Sequence, residues 1–169
     1  MSKFKLSATA KVSLEEAQET IDRYFKAFPG ISGILTAFGN YGVRNGFIMT
    51  SKPFLRRRYY DYWDGNQHDR KLMGKIERAS KNMPFQGTSG DITKLALCLM
   101  DWYIKDNNLQ NRVKIVCQVH DQLTTNVRED YIEEWLPIMD KCMTDAADFI
   151  LPAGLLRAET LDTGLHWTK

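Results

Sequence analysis

Several things this sequence lacks narrow what it can be. No apolar run approaches the ~20 residues that a bilayer span requires, and the first thirteen residues, MSKFKLSATAKVS, hold no apolar stretch of the signal-peptide kind. Cysteine is scarce: Cys98, Cys117 and Cys142 are odd in number, far apart and without a second ligand at CxxC spacing, so they read as reduced, cytosolic and structural. Neither sign of charge dominates, and a net charge of +2 makes no case for a wholesale polyanion binder. There is no internal repeat and no low-complexity linker. Gly39, Gly42 and Gly46 lack the strand–loop–helix setting of a phosphate-binding loop, and His68 and His166 have no partners at metal-ligand spacing. What is present is globular: 43% hydrophobic and 26% charged residues over 169 positions, the size of one ordinary domain or of part of a larger one.

The even overall charge conceals a division. From Arg44 to Lys81 ten Lys/Arg face four Asp/Glu, a net of +6, whereas from Val119 to Asp162 ten Asp/Glu face three Lys/Arg, a net of −7. The basic stretch carries Tyr59, Tyr60, Tyr62 and Trp63, a mixture that suits phosphate neutralisation with nearby base stacking. The ordinary alternative, which composition alone favours, is a solvated surface face.

Ser13 and Glu16 form a capping-box pair ahead of Leu14, Ala17, Ile21, Tyr24 and Phe28, so residues 14–28 read as an amphipathic helix that Pro29-Gly30 stops. A second helix fits 31–45. Residues 46–69 are irregular or short-strand in character and hold the cluster Arg56, Arg57 and Arg58. A helix follows from about 69 to 83, where Pro84 is expected to break it, and Thr88 or Ser89 can cap another that runs to about 105. Val113, Ile115, Cys117 and Val119 then alternate with Lys114, Val116 and Gln118, and Leu123, Thr125 and Val127 return, which reads as a hairpin with a His-Asp tip. Asp130 and Glu133 pair as another cap for a helix of about 131–149 that Pro137 is expected to kink or interrupt, and 155–161 reads as a last short strand. The expected class is α+β, a small antiparallel sheet packed by several helices.

Two segments carry candidate chemistry. The tip QVHDQ, Gln118–Gln122, holds an aspartate on a tight turn between two strands, the preorganisation that a metal ligand needs, although His-Asp in a turn is also ordinary turn chemistry. In ERASKNMPFQG, Glu77–Gly87, Arg78 and Asn82 lie four residues apart and Gln86 follows, so three long polar side chains can address one extended partner through acceptors shared by all base pairs. The alternative is a solvated helix face. Asp91 and Lys94, one helical turn apart, are expected to pair with each other.

Taken together, MSKFKLSATAKVSLEEAQ, YFKAFPGI, TSKPFLRRR, ERASKNMPFQGTSGDITKLAL, QVHDQ and the closing GLHW resemble the C-terminal part of a family A (DNA polymerase I-type) DNA polymerase, over nearly the whole chain. The QGT–x–x–DI–x–K–x–A stretch favours that family over single-subunit RNA polymerases. The resemblance implies a remaining fingers-type helical segment with a basic, aromatic-rich turn over 1–68, and a palm subdomain with the catalytic hairpin over 69–169. It makes Asp121 the motif C aspartate that holds catalytic Mg²⁺, two ions in the complete site, and sets His120 at the primer terminus. Arg78, Asn82 and Gln86 match residues that contact the primer–template duplex, and Arg56, Arg57 and Arg58 match the family's basic turn, with longer spacing from Thr50. Gln122 stands where the family usually has glutamate, and an amide oxygen is a weaker ligand for a hard ion.

The family's motif A strand and fingers helix find no counterpart here. The implied function is therefore two-metal transfer of dNMP to a primer 3′-hydroxyl, with primer–template DNA and dNTP as partners. The motif A strand and fingers helix would come from a second polypeptide or from the rest of a longer protein. The isolated chain is expected to be inactive, and a split polymerase gene would suit a phage acting in its host's cytoplasm. The alternative is a non-catalytic duplex DNA-binding module derived from a polymerase palm.

Overall fold

The computed structural model of the chain describes residues 2–63, 65, 69–160 and 164. His68, His166 and all of GLHW except Gly164 lie outside them. In chain order the elements are α1 (Lys3–Ala10), α2 (Leu14–Ala27), α3 (Pro29–Asn45), β1 (Phe47–Met49), β2 (Arg57–Tyr59), α4 (Arg70–Asp106), β3 (Val113–Val119), β4 (Gln122–Val127), a 3₁₀ turn (Glu129–Tyr131) and α5 (Ile132–Ile150). β1 pairs with β2 and β3 with β4, each as a two-stranded sheet. The class is α+β, as expected. None of the described helices is long and apolar enough to cross a membrane.

The chain divides into two compact units, residues 1–48 with 58–82 and residues 49–57 with 83–169. In the first, the α2 capping box is complete: the Glu16 N–H donates to Ser13 Oγ at 3.1 Å and the Ser13 N–H to Glu16 Oε2 at 2.9 Å. That bond holds the Glu16 carboxyl below the usual carboxylate range. Pro29 opens α3 at a position where its missing N–H costs nothing. Gly46 ends the helix at φ +73°, where a Cβ would also stand 2.6 Å from the Trp63 ring. α3 approaches the first part of α4 so closely that a Cβ on Gly42 would collide with the Ser80 hydroxyl. Ser80 is itself fully buried and shares a 2.7 Å hydrogen bond with the Tyr60 hydroxyl.

Asp69 caps α4, its Oδ1 accepting from the Lys71 and Leu72 N–H groups at 2.9 and 3.0 Å. Contrary to expectation, Pro84 does not divide the segment: α4 is one helix of 37 residues. An internal proline removes one hydrogen bond and costs about 3 kcal/mol. Residues are nevertheless buried on both sides of it, Ile76, Ser80 and Met83 before and Thr88, Asp91, Ala96, Met100 and Ile104 after. Burial on either side of the proline outweighs one missing bond.

In the second unit, Ala96, Met100 and Ile104 of α4 pack with β3, β4 and α5 in one core that includes Val113, Leu123, Trp135 and Ala146. Trp135 is fully buried, and its Nε1–H donates to Thr125 Oγ1 at 3.0 Å, tying α5 to β4. Pro137 does not interrupt α5, because the carbonyl it leaves without a donor belongs to Glu133 in the exposed first turn. The expected Asp130–Glu133 cap does not form. Asp130 instead takes both Nε and Nη2 of Arg128, at 3.0 and 2.9 Å, and a 3₁₀ turn leads into the helix. The expected strand at 155–161 is irregular over 155–160, where among the described residues no neighbouring strand supplies a ladder, and Leu161 lies outside the described residues.

Candidate metal site and nucleic-acid interface

β3 and β4 pair antiparallel from Val113 opposite Val127 to Val119 opposite Gln122, which leaves His120 and Asp121 as the two turn residues. The ladder shifts by one residue between Ile115 and Cys117, so Val116 is an extra residue on β3. Such a bulge increases local twist and re-aims the strand beyond it. Val113 at 1% exposure and Leu123 at 8% anchor the hairpin in the core.

At the turn His120 sits at φ +55°, a left-handed conformation that costs a non-glycine residue roughly 1 kcal/mol. The Gln118 side chain braces it, Nε2 donating to the His120 carbonyl at 3.1 Å. His120 and Asp121 are both exposed, and the Asp121 carboxylate makes no hydrogen bond or ion pair among the described residues. It is thus an acid on a hairpin anchored in the core, with its oxygens unused among the described residues. A hard divalent cation takes such oxygens. Gln122, the next residue, is also exposed and can add only a neutral amide oxygen. Among the described residues no group of three or more His, Cys, Asp or Glu side chains is gathered for a metal.

The candidate duplex contacts lie on α4 at intervals of four residues. Arg78 and Asn82 are exposed in the first unit, and Gln86 is exposed in the second. Of the arginine cluster, Arg57 and Arg58 are exposed on β2. Arg56 is partly engaged within the chain, its side chain 46% exposed: its Nε donates to Asp91 Oδ1 at 2.9 Å and its Nη2 to the Gly87 carbonyl at 3.1 Å. Asp91 therefore does not pair with Lys94 as expected. Asp91 is buried, Lys94 is exposed, and Arg56 is the cation that reaches the buried carboxylate. Neither that pair nor the Gln118 brace could be seen in the sequence. A glutamine two residues before a non-glycine turn residue was the one available hint of the brace.

The described residues thus hold an exposed acid at the apex of a β-hairpin and, on α4, exposed Arg78, Asn82 and Gln86, in an α+β fold. The family model for DNA polymerase family A matches residues 1–168. The chain is 34% identical to DNA polymerase I of Caldicellulosiruptor bescii over 170 residues, covering 99% of this chain and 18% of that protein. It is also 34% identical to DNA polymerase I of Pseudomonas aeruginosa, over 90% of this chain and 16% of that one. Among solved structures it resembles the POL domain of Pol1 from M. smegmatis in complex with DNA primer-template and dNTP. That likeness has a TM-score of 0.74 and 32% identity, over 86% of this chain and 24% of the other. The chain belongs to DNA polymerase family A. It spans less than a fifth of the length of these two curated relatives.

Proposed function

We propose that these residues form the C-terminal part of a DNA-directed DNA polymerase active site, with 1–68 as fingers-type segment and 69–169 as palm. The observation that carries the reading is Asp121: an exposed carboxylate, unpaired among the described residues, on a turn anchored in the core, in a chain of this family. In nucleotidyl transfer the primer 3′-hydroxyl attacks the α-phosphorus of the incoming nucleotide and pyrophosphate leaves. Mg²⁺, when bound, supplies charge stabilisation to the attacking and leaving oxygens. Asp121 would hold it, with Gln122 as at most a weak neutral ligand. His120, beside Asp121 on the turn, meets the primer terminus. Arg78, Asn82 and Gln86 contact the primer–template duplex, and Arg57 and Arg58 neutralise phosphate.

Two ions call for carboxylates from two places in the sequence, and Asp121 is one of them. The second acid and the fingers helix come from a partner polypeptide or from the rest of a longer chain. The complete enzyme replicates DNA in the cytoplasm, the host's if the source is a phage. The test is primer extension with Mg²⁺, dNTP and a primed template. The 169-residue chain alone is expected to add no nucleotide, and templated extension by it would overturn the reading. Co-purification from the source separates a split polymerase from an excerpt, since a split one returns a second polypeptide.

One observation favours a second reading, a duplex-binding module without catalysis: Gln122 stands beside Asp121 in place of a second acid. That reading predicts salt-sensitive duplex binding by a complex that never extends a primer.

A further inference from the structure

Arg56 and Asp91 are separated by 35 residues and belong to the same compact unit. Besides the two bonds from the Arg56 side chain, the Arg56 N–H donates to Thr50 Oγ1 at 3.0 Å and the Thr50 N–H to the Arg56 carbonyl at 3.0 Å. The Ser51 N–H donates to Thr88 Oγ1, also at 3.0 Å. Together these bonds close residues 50–56 on themselves and fasten them to α4 over 87–91. The fit is tight: a Cβ on Gly87 would stand 2.6 Å from Thr50 Cγ2. Asp91 is 7% exposed, and its Oδ2 is buried without a hydrogen-bond partner among the described residues.

A guanidinium reading phosphate presents its donor fork outward. Arg56 turns its Nε and one Nη inward, and its backbone is held as firmly as its side chain. The residues flanking the two anchors are candidates for the DNA interface: Arg57 follows Arg56, and Gln86 precedes Gly87. We infer that Arg56 and Asp91 are positioning residues rather than DNA contacts: they form a clamp that sets Arg57 in register with Gln86 on the duplex, so that the buried Asp91 controls DNA affinity. The inference rests on the proposed duplex-binding role of Arg57 and Gln86.

The test turns on sign. By simple electrostatics, removing an acid near DNA tightens binding; if Asp91 is half of a clamp, removing it weakens binding. Duplex affinity of the chain is measured by fluorescence anisotropy over a salt series for wild type, Arg56→Ala, Asp91→Ala, the double variant and Arg56→Lys. Each alanine variant is expected to weaken binding by about tenfold, the scale of one lost charge-assisted contact, and the double variant by no more than either single. Arg56→Lys keeps the charge but not the fork and is expected to remain weak. Gly87→Ala, which pushes the loop without changing charge, should behave like Asp91→Ala. Hydrogen exchange at the Ser51 and Arg56 amides should quicken in Asp91→Ala with or without DNA.

Tighter binding by Asp91→Ala, or full affinity in Arg56→Lys, overturns the clamp. So does an Arg56→Ala whose salt slope falls by about 0.9, the mark of one lost phosphate contact. If instead wild-type binding ignores salt, and Arg57→Ala and Gln86→Ala leave affinity unchanged, the duplex reading itself has failed. The exchange data then still report whether the loop was clamped.

Discussion

Trp135 is the largest side chain that joins α5 to the hairpin presenting Asp121, which makes Trp135→Ala a sharp perturbation. Trp135 is 0% exposed, donates Nε1–H to Thr125 Oγ1 at 3.0 Å, and lies 6.4 Å centroid to centroid from the Tyr103 ring. Truncating a buried Trp to Ala costs about 3–5 kcal/mol through lost burial and the cavity left behind. The Thr125 hydroxyl also loses its donor, so the upper half of that range is expected. Trp135→Phe keeps most of the apolar volume and loses the hydrogen bond, and should cost about 1–2 kcal/mol. For a chain of this size the alanine variant corresponds to a fall in Tm of about 6–20 °C. The two compact units need not melt together, so the assay is urea-dependent hydrogen exchange at the β3 and β4 amides, which reports the unit in question. DNA synthesis by the assembled polymerase should fall further than duplex affinity, because a loosened β4 frees Asp121. A Trp135→Ala cost below about 1 kcal/mol, or a phenylalanine variant as unstable as the alanine one, would refute the reasoning.

Gly42→Ala should destabilise the first unit by about 1–3 kcal/mol in urea unfolding through overpacking. Ser80→Ala should not rescue it, since the new Cβ would also stand 2.6 Å from Ser80 Cβ. Cys98 is exposed, whereas Cys142 is buried and its thiol is pushed up by that burial; a thiol-reactive probe should therefore label Cys98 readily and Cys142 only on unfolding. The Glu16 carboxyl is lowered by its bond to the Ser13 backbone, so the stability it lends α2 is present above the unfolded carboxylate value of ~4.3 and is lost as pH falls through the lower folded value. Protection of the Ser13 and Glu16 amides, taken relative to the intrinsic exchange rate at each pH, should fall across that acid range.

What could be read from the sequence was local. The Ser13–Glu16 box, the helical period of 14–28, the proline and glycine around α3 and the alternation of Val113 to Val119 are each written within a few residues, and each element stands where it was expected. The misreadings came where a distant or unforeseen partner outweighed the local rule. Pro84 looked like a helix end, but residues buried on either side of it keep both parts of α4 helical. Asp130 looked like a cap, but Arg128 two residues away takes both its oxygens. Asp91 looked like half of a pair with Lys94, but its burial leaves the carboxylate to Arg56, which no sequence spacing reveals. The candidate site was legible as residue types in order. Its geometry, with His120 left-handed and Gln118 bracing the turn, depends on a hairpin register that a bulge at Val116 resets.

The account stands most directly on Asp121. Asp121→Asn keeps the side chain's size and removes its charge, and primer extension by the assembled polymerase is measured beside duplex affinity. Loss of an ion-holding carboxylate should remove about 4 kcal/mol of transition-state stabilisation. Extension should then fall about a thousandfold while duplex affinity stays within about twofold. Extension within tenfold of wild type would contradict the assignment.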